Sequence, residues 1–195
     1  ESSTKLQNSI YFKTKDDKAL YVNLFIPSTL NWEERNVIIE QKTNFPKSDE
    51  TEILVNGEGA FDVHLRVPSW AKEGFAVTIN GKREKVDAKP GSYLKISKVW
   101  KKGDVIAVKM PFHFYLEPVA DQQNIASLFY GPVLLAAQEP EAITEWRKVT
   151  LDAHDISKSI AGNPATLEFN IGEVKFKPFY DSYDRHSVYL NVTLK

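Results

Sequence analysis

Cysteine is absent from this sequence of 195 residues. Its absence excludes disulfide bonds, thiolate zinc sites and a cysteine nucleophile within the chain, although it does not fix the compartment. An excess of charge of one sign is missing too, because 25 basic and 26 acidic residues leave a formal net charge of -1. Such a chain has no field that attracts a polyanion, so we expect no nucleic-acid partner.

Long apolar runs are also lacking. No stretch approaches the roughly 20 apolar residues that a membrane-spanning helix needs, so we expect no membrane partner. The first ten residues, ESSTKLQNSI, lack the basic and then apolar order of a signal peptide, and the chain does not begin with methionine. We therefore expect a piece of a larger protein, with any export signal upstream of it.

The clearest structural pattern lies in residues 61–67, FDVHLRV, where apolar and polar side chains alternate. Successive side chains of a strand point to opposite faces, so this pattern predicts a half-buried strand. Comparable short runs recur at about 8 to 12 residue spacing between glycine and proline turns, which is typical of stacked antiparallel sheets. The sequence therefore predicts an all-β chain folded as an antiparallel, jelly-roll-like β-sandwich.

The strand pattern also predicts the organisation of the chain. Residues 1–8 are polar and are expected to be a disordered linker. Residues 9–140 are expected to form the main antiparallel β-sandwich. Because the pattern weakens at about residues 138–145, residues 141–195 are expected to form a C-terminal β-rich extension or a partial second sandwich.

Local turn signals predict several connections. Asn80-Gly81 tolerates the positive φ angles of a type I′ turn and predicts a hairpin between its flanking strands. A three-residue loop at residues 57–59, with two glycines, favours an antiparallel pair formed by the strands on either side. A single helical turn capped by Asn31 is expected within residues 28–34.

Catalytic and metal-binding groups are not evident from spacing. The histidines are scattered singly, without the spacing of a helical or strand metal pair, so no metal site and no cofactor are expected. A glycosidase needs two carboxylates held across a bond, and acids in the loops are conceivable partners, but sequence spacing in a β protein does not show which acids converge. We assign no catalytic residue, and this chain alone is not expected to be an enzyme.

Aromatic residues provide the candidate binding groups. The segment at residues 176–186 combines rings with carboxylate, guanidinium and imidazole groups, as carbohydrate recognition requires, because sugar CH faces pack on rings while hydroxyls need polar partners. The alternative is a tyrosine-rich loop that docks on the sandwich or on a neighbouring domain. The candidate carbohydrate-binding residues are Trp32, Trp70, Tyr180, Asp181, Tyr183, Arg185 and His186.

A family resemblance is carried by six segments that occur in a fixed order within residues 10–140. They are LYVNLFIPS at 20–28, QKTNFP at 41–46, LRVPSWA at 65–71, VTING at 77–81, WKKGD at 100–104 and LFYGPV at 128–133. Together they resemble the region after the catalytic barrel in glycoside hydrolase family 127, the bacterial β-L-arabinofuranosidases. The tail segment FKPFYD at 176–181 is similar to the C-terminal end of longer gut-bacterial members.

The resemblance implies an upstream (α/α)6 barrel that carries a cysteine nucleophile, a glutamate acid/base and a cysteine-bound zinc. None of these residues can be placed on this chain, because it contains no cysteine. The implied partner is therefore the catalytic barrel of the same parent chain. Resemblance to gut-bacterial hydrolases also favours a periplasmic or secreted parent.

Three functions remain open at this stage. The first is a noncatalytic accessory region of a bacterial glycoside hydrolase that acts on arabinofuranosides. The second is a carbohydrate-binding module that takes a plant-type oligosaccharide. The third is a protein-interaction domain that uses exposed edge strands.

Overall fold

The computed structural model describes residues 2–195 and divides them into two compact units, of which the first ends at Pro111 and the second begins at Phe112. The predicted all-β class is confirmed. In the first unit the elements are α1 (Ser2–Gln7), β1 (Tyr11–Lys13), β2 (Ala19–Val22), β3 (Ser28–Trp32), β4 (Val37–Thr43), β5 (Glu50–Asn56), β6 (Gly59–Val67), β7 (Ala76–Ile79), β8 (Lys82–Arg83), β9 (Ser92–Trp100) and β10 (Asp104–Lys109).

The second unit contains the remaining strands. They are β11 (Phe114–Val119), β12 (Gln122–Tyr130), β13 (Val133–Gln138), β14 (Arg147–Leu151), β15 (Ala161–Asn163), β16 (Glu168–Ile171), β17 (Val174–Pro178), β18 (His186–Ser187) and β19 (Leu190–Leu194). Short 3₁₀ turns lie at Glu33–Arg35, Ile156–Ser159 and Phe179–Asp181. Among the described residues, no helix combines the length and the apolar character needed to cross a membrane.

Two sheets form the first unit. The described strands give one sheet in the order β1-β2-β6-β9 and another in the order β3-β4-β5-β10-β7-β8. Most neighbours are antiparallel, whereas β2 and β6 run parallel. The alternation predicted for residues 61–67 is confirmed, because Phe61, Val63, Leu65 and Val67 are buried while the intervening side chains are half-buried or exposed.

The core of the first unit contains two buried tryptophans, Trp32 and Trp100, which are 2% and 1% exposed. Both rings contact Phe61, with ring centroids 5.3 Å and 5.8 Å away. The indole nitrogen of Trp100 donates a hydrogen bond to the Phe61 carbonyl oxygen at 2.9 Å. A buried indole with its N–H satisfied contributes a large apolar area without leaving an unpaired donor.

The Asn80-Gly81 hairpin is confirmed, since both residues have positive φ angles, 52° and 77°. The Asn80 side chain also makes two hydrogen bonds that the turn signal does not predict. Its amide donates to the Asp104 carboxylate at 2.7 Å, and its carbonyl oxygen accepts from the backbone N–H of Val105 at 2.9 Å. The bond from Asn80 and others from the Lys101 backbone and Lys98 lower the pKa of Asp104 to about 2. Asn80 therefore fixes the hairpin to the start of β10.

Three local expectations differ from the structure. Strands β5 and β6 belong to different sheets, so the antiparallel pair predicted across residues 57–59 is wrong. Both strands alternate in the same way because each buries one face in the shared core. Near Asn31 the chain continues as β3, and the 3₁₀ turn follows Trp32 instead. Residues 2–7 form α1 where a disordered linker was predicted, and residue 1 of that linker lies outside the described residues.

The unit boundary also lies elsewhere than the sequence predicted. Residues 112–140 were assigned to the main sandwich, but β12 and β13 pair with C-terminal strands. The described sheet of the second unit has the order β14-β19-β12-β13-β17-β16-β15, with β11 beside β12 and β18 beside β13. Its centre is β13, where Leu135, Ala136 and Ala137 are fully buried. The run VLLAA at 133–137 is apolar on both faces, which suits a central strand.

Candidate carbohydrate-binding surface

The predicted aromatic cluster follows β17 and starts in the 3₁₀ turn Phe179–Asp181. Ser182 fixes this turn: its hydroxyl donates to the Pro178 carbonyl oxygen and accepts from the Gln138 side-chain amide, both at 3.0 Å. Tyr180 and Tyr183 are 52% and 87% exposed. The structure thus places these two rings where a ligand can reach them.

The other members of the cluster are held through their neighbours. Asp181 and Arg185 are exposed, and the Arg185 carbonyl oxygen accepts from the Glu139 backbone N–H at 2.9 Å. His186 is half-buried, contacts the Phe179 ring edge-on, and its Nδ1 lies 2.6 Å from the Asp184 carbonyl oxygen. A carbonyl oxygen only accepts, so Nδ1 carries the proton and Nε2 is the acceptor of the neutral ring.

The two tryptophans predicted as sugar platforms lie in the first unit and are not equivalent. Trp32 is buried in the core, and its Nε1 donates to the Asp17 carboxylate at 3.3 Å. Its ring faces are covered by protein, so the structure contradicts its assignment as an exposed platform. Trp70 is half-buried and stacks on Phe45, with centroids 6.4 Å apart.

Sequence reasoning missed a more exposed tryptophan, Trp146. It precedes β14, while Tyr189 precedes β19, and these strands pair in parallel with Arg147 opposite Leu190. The pairing brings Trp146 and Tyr189 side by side, with ring centroids 5.8 Å apart and ring planes at 77°. Trp146 is 52% exposed and Tyr189 is 46% exposed. The two rings form an open apolar corner.

A groove of about 750 Å³ lies against this corner, and we call it the Trp146 groove. It is lined by Ile143, Thr144, Glu145, Trp146, Lys148, His186, Ser187 and Asn191. His186 belongs both to this lining and to the predicted aromatic cluster. The groove therefore brings together His186, which the sequence predicted as a binding residue, and Trp146, which it did not.

An ion pair with a buried carboxylate lies next to the groove-lining residues. Glu139, at the end of β13, accepts hydrogen bonds from the Arg147 guanidinium at its Nε and Nη2, and the Glu139 side chain is 3% exposed. Arg147 lowers the pKa of Glu139, and a hydrogen bond from Ser187 adds to the effect. Arg147 lies between the groove-lining residues Trp146 and Lys148, and Ser187 lines the groove itself, so the carboxylate of Glu139 holds the chain on both sides of the groove.

Eight described acids have a clearly shifted pKa, and in each the shift is downward. A general acid of a glycosidase needs a raised pKa. In the described part of the chain, hydrogen bonds donated by neighbours lower the pKa of each clearly shifted acid, namely Asp16, Asp17, Glu34, Asp62, Asp104, Glu139, Glu145 and Asp152. Residues 2–195 also contain no group of three His, Cys, Asp or Glu side chains that could hold a metal ion.

Comparison with known protein families gives a match over the larger part of the first unit. Residues 19–112 match the model described as "Beta-L-arabinofuranosidase, GH127 middle domain". Over these residues the chain is similar to a GH127 middle domain. No curated protein sequence gives a significant match to the chain.

Solved structures extend the likeness beyond the GH127 middle domain. A GH127 β-L-arabinofuranosidase from Geobacillus stearothermophilus matches with a TM-score of 0.75 at 21% identity, over 96% of this chain and 35% of that chain. A protein described as a glycoside hydrolase gives 0.72 at 18% identity, over 97% and 38%. A GH127 β-arabinofuranosidase gives 0.68 at 19% identity, over 94% and 36%. At these identities the likeness shows a shared fold, and this chain spans little more than a third of each protein.

Proposed function

We propose that this chain is a noncatalytic accessory region of a bacterial glycoside hydrolase that acts on arabinofuranosides. The observation that carries the proposal is the GH127 middle-domain match over residues 19–112, together with a fold shared over nearly the whole chain with proteins about three times as long. In this proposal the remainder of the parent supplies the catalytic barrel, and the present region packs on it and stiffens it.

Eight of the described acids have a lowered pKa because neighbours donate hydrogen bonds to them, which fits structural roles for these eight. Carboxylates such as Asp62, paired with Lys95 at 2.8 Å, and Asp104, bonded to Asn80, are engaged as hydrogen-bond acceptors. An acid held ionised in this way is a poor proton donor to a leaving sugar oxygen.

A candidate surface for the barrel is the outward face of β2, β6 and β9. There Tyr21 stacks on His64 with centroids 4.3 Å apart and meets Tyr93 edge-on at 5.2 Å. Tyr93 is 39% exposed, and its hydroxyl bonds to Asn23. Interfaces between domains of one chain are typically mixed in this way, since they contain apolar rings and polar groups together.

Deletion from the parent protein tests the accessory role. We expect the parent without residues 10–195 to melt at least about 5 °C lower and to lose arabinofuranosidase activity, because the barrel loses its packing surface. Tyr93→Ala in the full-length parent should lower the melting temperature of the catalytic part, whereas Tyr183→Ala, a matched change elsewhere on the surface, should not. If the deletion leaves both the melting temperature and the kcat/KM of the parent protein unchanged, the proposal is wrong.

A carbohydrate-binding role is the second candidate. It is supported by the exposure of Tyr180 and Tyr183, two of the residues predicted from the sequence. It loses the support of Trp32, which is buried.

A further inference from the structure

The Trp146 groove is not required by the accessory role. Trp146 lines the groove, and the Tyr189 ring lies beside Trp146 with the two ring planes at 77°. Trp146 is 52% exposed and Tyr189 is 46% exposed. Large exposed rings beside a groove mark a candidate binding surface.

The polar residues of the lining share the groove with Trp146 and carry both donors and acceptors. Thr144 and Ser187 provide hydroxyls, Asn191 provides an amide, and His186 provides an acceptor at Nε2 because its Nδ1–H is used by the Asp184 carbonyl. A ligand that fills this groove needs an apolar face for the rings and hydroxyl groups around its edge. Sugar rings have that distribution of CH faces and hydroxyls.

The charge of the lining favours a neutral ligand. Glu145 and Lys148 both line the groove and pair with each other at 2.9 Å, so their charges offset one another. A phosphate or acidic ligand would meet no unopposed cation from this pair, and a cationic ligand would meet no unopposed carboxylate. The groove volume of about 750 Å³ falls within the usual range of small-ligand sites.

We propose that the Trp146 groove binds a neutral oligosaccharide, with one sugar ring stacked on the Trp146 indole and hydroxyls bonded to His186 and its polar neighbours. The site is preorganised, because Leu190 and Val149 are buried in the sheet and Glu139 fixes Arg147. Preorganisation lowers the entropy lost on binding. The inference goes beyond the accessory role, and only the choice of arabino-oligosaccharides as the first probe rests on that role.

Calorimetric titration of the whole chain tests the site. Arabino-, xylo- and cello-oligosaccharides are added at concentrations up to about 10 mM, which detects dissociation constants in the millimolar range. We expect at least one of them to bind the unaltered protein. Trp146→Ala should weaken that binding at least about tenfold, equivalent to about 1.4 kcal/mol. Trp146→Phe, which keeps a smaller ring, should have a dissociation constant between those of the unaltered protein and Trp146→Ala.

Phe12→Ala is the matched control, because it removes a ring that is 47% exposed and lies outside the groove lining. It should bind as tightly as the unaltered protein, and melting curves should show every variant folded. Flat titrations with all three sugars overturn the proposal. Unchanged binding by Trp146→Ala, or loss of binding in Phe12→Ala alone, also overturns it. Binding of xylo- but not arabino-oligosaccharides supports the groove while counting against the arabinofuranoside assignment of the proposed function.

Discussion

Trp100→Ala is expected to lower the free energy of unfolding of the first unit by about 3–5 kcal/mol, the usual cost of removing a fully buried large aromatic side chain. Trp100 is 1% exposed and packs against Phe61 in the core. Truncation leaves a cavity and also leaves the Phe61 carbonyl oxygen without the indole N–H that it accepts at 2.9 Å. An unpaired buried acceptor adds to the cost of the cavity.

Urea denaturation followed by circular dichroism measures this effect. Trp146→Ala is the matched control, since the same atoms are removed from a side chain that is 52% exposed, and we expect a change within about 0.5 kcal/mol. Trp100→Phe should lie between alanine and tryptophan because it keeps part of the volume. Equal midpoints for Trp100→Ala and Trp146→Ala would show that Trp100 is not part of a packed core.

Glu139→Gln is expected to destabilise the second unit by about 1–3 kcal/mol at neutral pH, because the Arg147 guanidinium, whose side chain is 29% exposed, loses its charged hydrogen-bond partner. The Glu139 side chain is 3% exposed and accepts from both Nε and Nη2 of Arg147. Arg147→Met should also destabilise. The double variant should recover part of the loss, since neither charge then remains buried without a partner.

The pair also makes a specific contribution to pH dependence. Arg147 lowers the pKa of Glu139 below the ordinary value of 4.5. A carboxyl whose folded pKa is depressed stabilises the fold above its unfolded pKa, and this contribution is lost as pH falls below 4.5 through the folded pKa. Urea midpoints from pH 7 down to acid pH should therefore fall less steeply for Glu139→Gln. If Glu139→Gln and the unaltered protein have equal urea midpoints both at pH 7 and at acid pH, the role assigned to the pair is contradicted.

Local pattern was sufficient for strongly alternating strands such as β6 and for the Asn80-Gly81 turn, because period-two alternation and positive φ are properties of neighbouring residues. It was insufficient for partner choice. Alternation in β5 and β6 is the same whether the two strands pair or face each other across a core. The predicted position of the unit boundary differs from the structure for the same reason, since β12 and β13 pair with β19 and β17, which lie far along the chain.

The candidate site depended on the same long-range information. A tryptophan in a short polar segment gives no sign of whether it is buried, and Trp32 proved to be core while Trp146 is exposed. Tyr189 reaches Trp146 only through the parallel pairing of β14 and β19. One signal was available: Trp146 follows a run without alternating apolar residues, which is where a ring is least easily buried.

The central claim is that this region contributes structure to a glycoside hydrolase without carrying out its chemistry. The most direct measurement is arabinose release from a β-arabinofuranoside by the isolated chain, with a full-length GH127 β-L-arabinofuranosidase as the positive control. The account predicts no release above the buffer blank. Release at more than a trace rate, abolished by substitution of a single acidic residue of this chain, would contradict it.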